Sequence, residues 1–262
     1  MAHIAELTPG KGERVLTFGG TRSGKSALSD MSLMHIQHVR PHALQVLVDT
    51  KPRYRAEMER GPFRRGRRSA SYRYESWEAG PTIPNSVVVD IWDEKPFQGL
   101  WKDHPGEVAI MQGAEFEDWR RMLALLRGFV SASIKGVERR IVVDEVLDFY
   151  QRNTFSIDNR NDVFYRAARA GGEKGIGLEL NSQRVHGLPP LILNMATIVN
   201  LFHLRTDSDM KYLREIGIRD AVSPDGNYVF RQYRIEPGGT VSKPFTGRLS
   251  LPGWYISQLA DT

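Results

Sequence analysis

The sequence predicts an α/β fold, with a mostly parallel central sheet flanked by helices and a short C-terminal β extension. Three observations carry this reading. Strand-like and helix-like segments alternate through most of the 262 residues, as strand–helix–strand crossovers require. A glycine-rich stretch joins the first strand to the first helix. Beyond residue 220 the apolar segments become short and glycine-punctuated, as in small antiparallel strands.

Arg14-Val15-Leu16-Thr17-Phe18 is short and apolar and runs into Gly19-Gly20, so it reads as a buried first strand. Gly24 to Val39 reads as an amphipathic helix closed by Arg40-Pro41. Leu44 to Val48 is a second strand ending at Asp49. The stretch 52–85 is rich in Arg, Gly, Pro and Ser without clean periodicity, and reads as a long loop. Strands are expected at Ser86–Trp92 and Glu107–Gln112. Phe116, Trp119, Leu123, Leu126 and Val130 share one helical face, which predicts a helix over 115–133. Further strands are expected at Ile141–Val143, Ile176–Leu180 and Thr197–Leu204, with short ones around Tyr228-Val229-Phe230 and Thr246–Leu251. The domain reading is a core over 1–220, with a basic insertion at about 52–85, and a β-rich extension over 221–262 packed on it.

Composition narrows the function. Hydrophobic residues make up 40% and charged residues 26%, as in an ordinary globular protein. No apolar run approaches the ~18 residues a membrane helix needs, and the N-terminus lacks the order of a signal peptide. Cysteine is absent, which excludes disulfides, thiolate metal sites and thiol catalysis. These features together suggest a cytoplasmic setting. Net charge is +5, compatible with a polyanionic partner. Between Lys51 and Tyr74, nine basic residues face two acidic ones, with Tyr54, Phe63, Tyr72 and Tyr74 among them. That segment reads equally as a solvated loop or as a contact for phosphates.

Gly19-Gly20-Thr21-Arg22-Ser23-Gly24-Lys25-Ser26 matches the Walker A pattern of a P-loop at every required position. Such a loop wraps a phosphate with successive backbone N–H groups, and its glycines allow close approach. The helix that follows points its positive dipole end at the phosphates. Gly19 through Ala27 are therefore the candidate nucleotide-binding residues, with ATP the expected ligand. Lys25 would reach the β- and γ-phosphates, and the Ser26 hydroxyl would ligand Mg²⁺.

A second cluster follows the strand at 141–143. Asp144 at its tip would hold the Mg²⁺ shell, directly or through water, and Glu145 would orient or deprotonate the attacking water, as in a Walker B site. A third lies at Asn181-Ser182-Gln183-Arg184, after Gly175-Ile176-Gly177-Leu178-Glu179-Leu180. The carboxyl edge of such a sheet is where ligands bind, so Gln183 is a candidate to sense the γ-phosphate or position water.

With the three sites in this order, the chain resembles the FtsK/HerA superfamily of DNA-pumping ATPases over roughly residues 12–215. The matching features are Thr17 to Ser26, Val48-Asp49-Thr50-Lys51, Val143-Asp144-Glu145, Gly175 through Arg184 and the stretch from Leu188 to Leu204. Asp49-Thr50-Lys51 matches the family's Asp-Pro-Lys-like turn loosely, and Ser182-Gln183-Arg184-Val185 is similar to its Thr-Gln-Arg-Pro-like turn. The resemblance implies a RecA-like P-loop ATPase that assembles as a homo-oligomeric ring, a hexamer or pentamer, with ATP between subunits. It also implies an arginine supplied by the neighbouring subunit. The position where many members carry it is Gly172 here. Arg169 is then the candidate, with Arg166 and Lys174 close by.

The sequence is expected to carry no membrane helix, winged-helix tail or N-terminal barrel domain. A bare motor of this size is similar to the genome-packaging ATPases of tailless, membrane-containing icosahedral viruses. The expectation is ATP-driven translocation of double-stranded DNA, at a virion vertex or in the host cytoplasm, with a capsid or membrane-anchored partner. The alternatives are a cellular or plasmid DNA-pumping or conjugation-coupling ATPase, a nucleotide-binding switch or assembly protein that moves no DNA, and a small-molecule kinase. Asp144-Glu145 counts against a pure switch, and the missing acceptor motif counts against a kinase.

Overall fold

The computed structural model describes residues 7–52, 55–59, 82–103, 105–132, 136–151 and 162–260. Ten strands make one sheet: β1 (Arg14–Phe18), β2 (Leu44–Asp49), β3 (Arg55–Glu59), β4 (Thr82–Val88), β5 (Val108–Gln112), β6 (Arg139–Val143), β7 (Ile176–Ser182), β8 (Ile198–Leu201), β9 (Val229–Arg234) and β10 (Phe245–Arg248). Their order is β10-β9-β8-β1-β7-β6-β2-β5-β4-β3. Every pairing from β8 to β3 is parallel. The β8–β9 and β9–β10 pairings are antiparallel. The mostly parallel sheet with short C-terminal strands is the architecture expected.

The helices that position the site are α1 (Lys25–Val39), α2 (Leu100–Asp103), α3 (Phe116–Ser131), α4 (Leu147–Gln151), α5 (Val163–Lys174), α6 (Pro190–Leu193), α7 (Asp207–Glu215) and α8 (Gly253–Ala260). They cover both faces of the sheet, which is why runs such as Val46-Leu47-Val48 and Ile141-Val142-Val143 are apolar on both faces rather than alternating. On one face Leu16, Val46, Val48, Ile141, Val143 and Leu178 pack with residues of α3 and α5, including Trp119, Met122, Leu126, Phe164 and Ala167. On the other face Leu33 of α1 packs with Leu47, Val108, Ile110 and Val142. Successive residues of β2 and β6 thus serve opposite layers, as the pleat dictates. Local signals set the ends of α5. The Asp162 side chain accepts from Phe164 N–H, and Gly175 closes the helix at φ 62°, a left-handed conformation suited to glycine.

Two expectations change. The stretch 52–85 is not wholly loop. Arg55–Glu59 forms β3 and Thr82 begins β4, and the two pair in parallel at the sheet edge. Propensity misses β3 because it alternates charge with small or flexible residues and gains its ladder bonds only from β4. Residues 53–54 and 60–81, most of the basic segment, lie outside the described residues. Helix α1, in turn, is less simply amphipathic than its neighbours. It buries Lys25, Ser29, Asp30 and Ser32 along with Ala27, Leu28, Leu33 and Ile36. The sheet beneath it presents buried Gln45, Arg140, Glu179 and Asn181, so polar side chains meet polar side chains. The other expected strands and the helix over 115–133 match their positions to within a few residues, whereas α2, α4, α5, α6, α7 and α8 were not among the expected elements.

Leu33 is fully buried where α1 meets the sheet. Leu33→Ala is expected to lower unfolding free energy by about 2–5 kcal/mol through lost burial and a residual cavity, read as a drop in the urea midpoint at constant slope.

Candidate functional site

Because β1, β6, β7 and β8 are parallel, the segments leaving their carboxyl ends gather at one edge. The strand order places β7 between β1 and β6, so its tip separates the glycine loop from the acidic pair. Backbone bonds knit these segments. Gly19 N–H donates to Ser182 carbonyl at 3.1 Å, and Gly20 N–H to His203 carbonyl at 2.8 Å. Val146 N–H donates to Asn181 carbonyl at 2.9 Å.

The loop has the conformation its glycines allow. Gly24, at φ 110°, caps α1, and Arg22 is left-handed at φ 62°. A Cβ at Gly19 would lie 2.5 Å from Ser23 Oγ and 2.7 Å from Phe202 Cβ. One at Gly24 would lie 2.7 Å from a Tyr228 ring carbon. These glycines are thus demanded by packing behind the loop. Tyr228, itself at φ 62°, braces the loop from the C-terminal segment, where its N–H donates to Ser23 carbonyl at 2.9 Å. The first helical bond runs from Leu28 N–H to Gly24 carbonyl, so the amides of Lys25, Ser26 and Ala27 lie ahead of the ladder at the positive end of α1. Thr21 and Arg22 are exposed at the rim, while Ser23 and Lys25 are buried.

Ser26 Oγ donates to Asp144 Oδ1 at 2.9 Å. The two residues expected to share a divalent cation therefore touch, although 118 positions separate them. Among the described residues no group of three or more His, Cys, Asp or Glu side chains could hold a metal. The oxygen pair is what fits a hard cation such as Mg²⁺, which takes few protein ligands and completes its shell with water and phosphate oxygens.

Glu145 is 5% exposed. Burial pushes its carboxyl up to about 7, and Asp144 and Asp148 push the same way, against Lys25 and Lys51. Gln183 N–H donates to Glu145 Oε1 at 3.4 Å, while the Gln183 residue is exposed at the rim. It is thus the main chain of the third candidate segment that meets the second.

Asp49-Thr50-Lys51 joins the cluster through a residue that sequence reading passed over. Thr50 Oγ1 donates to Asp148 Oδ2 at 2.8 Å, and Lys51 Nζ lies 3.9 Å from the same oxygen. Asp209 was also passed over. Its Oδ1 accepts from the N–H groups of Val185 and His186 at 2.9 and 3.0 Å, and so holds the turn after Gln183. The only linear signal was its place in the first turn of α7 after Thr206, where a carboxylate usually serves its own helix. Arg166 and Arg169 are exposed on α5. Among the described residues no hydrogen bond or ion pair joins either to the cluster formed by Lys25, Ser26, Asp144 and Glu145.

No protein-family model matches the chain, and no curated protein matches it in sequence. Solved structures do match. The chain is similar to B204, the DNA-packaging ATPase of Sulfolobus turreted icosahedral virus, at 16% identity and TM-score 0.53 over 90% of this chain and 98% of that one. It is similar to the genome-packaging NTPase B204 of Sulfolobus turreted icosahedral virus 2, solved with AMPPCP, at 16% identity and TM-score 0.55 over 89% and 98%. The cytoplasmic domain of the Thermomonospora curvata type VII secretion ATPase EccC gives 14% identity and TM-score 0.52, over 95% of this chain and 28% of that chain. The fold is that of these P-loop ATPases, in keeping with the FtsK/HerA resemblance carried by the motifs.

The raised Glu145 carboxyl has a measurable sign. An acid whose folded value lies above its unfolded one favours folding below about pH 4.5 and loses that advantage as pH rises through about 7. Glu145→Gln is therefore expected to match the parent protein near pH 4.5 and to exceed its unfolding free energy at pH 8 by roughly 2–3 kcal/mol. Thermal unfolding across pH reads the difference, and parallel curves would remove the assignment.

Proposed function

We propose that this chain is an ATPase that drives translocation of double-stranded DNA, with viral genome packaging as its setting. The observation that carries the hydrolytic part is the contact of Ser26 with Asp144 at the mouth of the glycine loop, with the buried Glu145 next in sequence. The translocation part rests on the DNA-packaging ATPases among the structures of the same fold.

In this mechanism the loop amides and Lys25 bind the triphosphate and neutralise its charge. Ser26 and Asp144 would hold Mg²⁺, which supplies Lewis-acid stabilisation of phosphate charge when bound. Glu145 takes a proton from the attacking water. Its near-neutral acidity suits the task, because a base works best with a value close to the working pH. Gln183 stands at the rim beside Glu145, placed to register whether the terminal phosphate is present. Arg169 acts across the interface of a homo-oligomeric ring, a position its exposure permits. The basic stretch 51–74 contacts DNA phosphates. The core over 1–220 is the motor, and the extension over 221–262 braces its loop through Tyr228. No helix among the described residues is long and apolar enough to cross a membrane, and a capsid or membrane-anchored partner is part of the proposed setting.

Lys25→Ala is expected to abolish nucleotide binding and hydrolysis together. Glu145→Gln should keep ATP affinity while turnover falls by about 10²-fold or more, as read by phosphate release. Duplex DNA should raise turnover of the parent protein, and the gain should fade as salt rises from 50 to 200 mM. Robust hydrolysis indifferent to duplex DNA would leave an ATPase and remove the motor.

A further inference from the structure

The polar layer between α1 and the sheet has its own architecture. Ser29 lies one turn beyond Ser26 on α1. Its hydroxyl donates to Glu179 Oε1 at 2.5 Å and accepts from Asn181 Nδ2 at 2.9 Å. The other oxygen of Glu179 lies 3.3 Å from Arg140 Nη2. Arg140 Nη1 lies 3.8 Å from Glu138 Oε1, and that same oxygen takes Arg40 Nη1 at 2.7 Å. Arg40 is the residue at which α1 ends. The helix is therefore tied to the sheet in its first turns through Ser29 and at its last through Arg40, and both ties meet at Arg140.

Ser29, Glu179, Asn181 and Arg140 are each 1% exposed or less. The backbone makes room for them. Gly177 is the β7 partner of Arg140, and a Cβ there would stand 3.4 Å from Arg140 Cγ. Buried charge pairs of this kind contribute little net stability and are best attested as devices that fix geometry. What they fix here is specific. Helix α1 carries Lys25 and Ser26, β6 leads into Asp144 and Glu145, and β7 leads into Gln183. Asn181 touches two of these at once, holding Ser29 with its side chain and Val146, the residue after Glu145, with its carbonyl.

We infer that Ser29, Asn181, Glu179 and Arg140 form a buried positioning cluster that sets the seat of α1 against β6 and β7, and with it the approach of Ser26 to Asp144. This rests on the nucleotide reading above and adds to it. The loop amides lie within a few residues of one another, so phosphate binding without metal does not depend on the seat of the helix. The metal site spans α1 and β6, so it does.

The test compares the parent protein with Ser29→Ala, which deletes one oxygen and leaves a good helix former. The affinity of a non-hydrolysable ATP analogue is measured with and without Mg²⁺, beside kcat and KM for ATP. Expected for Ser29→Ala is metal-free affinity within about threefold of the parent, with the Mg²⁺-dependent gain in affinity and kcat each reduced by about tenfold or more, since small misplacements at a reacting centre carry large rate costs. Glu179→Gln keeps an acceptor for Ser29 but drops the charge facing Arg140, and is expected to fall between the two. A folded Ser29→Ala with the parent's Mg²⁺-dependent gain and kcat overturns the positioning role alone. A parent protein whose analogue affinity ignores Mg²⁺ overturns this role and the nucleotidase reading together. If Ser29→Ala does not fold, Glu179→Gln decides: a reduced Mg²⁺-dependent gain supports the role, and an unchanged gain overturns it.

Discussion

The contact between the Ser26 hydroxyl and the Asp144 carboxylate is the constraint around which the rest of the site is arranged. It joins the start of a helix to the tip of a strand two places away in the sheet. That reach is possible because β7 lies between β1 and β6 and all three run the same way, so their carboxyl ends form one shelf. The insertion also brings a third segment to the shelf, and its first free amide, that of Gln183, lands on Glu145. Each element contributes only a residue or two. Parallel register makes those residues neighbours.

The electrostatics follow from this crowding. Asp144, Glu145 and Asp148 stand close together, with Lys25 and Lys51 to offset them. Burial raises the cost of ionising Glu145, and the flanking acids add to it. Such a carboxyl is easily moved between its two states by a change of charge nearby, as when a ligand enters. The opposite side of the loop is packed by aromatic rings. Phe202 and Tyr228 fill the space behind Gly19 and Gly24.

Much of the architecture was legible in the sequence because the central strands are buried on both faces. Strands such as Val46-Leu47-Val48 and Ile141-Val142-Val143 are apolar without break, and that pattern survives any choice of partner. β3 was not legible. Its charged residues have no strand character of their own, and its pairing with β4 is formed across a long separation in sequence. The polar layer under α1 was hidden for a related reason. Ser29, Arg140, Glu179 and Asn181 each look like solvated residues in their own segments, and only their meeting makes burial tolerable.

The sequence by itself picked out the short segments proposed to carry the chemistry: a glycine loop with Lys25 and Ser26, an apolar strand ending in Asp144-Glu145, and a polar turn at Gln183. Such motifs are local, since their backbone conformation and reactive groups come from a few adjacent residues. Only the tertiary structure decided how they stand to one another. Asp148 and Asp209 join the site through side chains that reach across the fold, Tyr228 braces the loop from near the other end of the chain, and strand order sets which tips are neighbours. Those relations arise from packing between separate segments of the chain, and no local pattern encodes them.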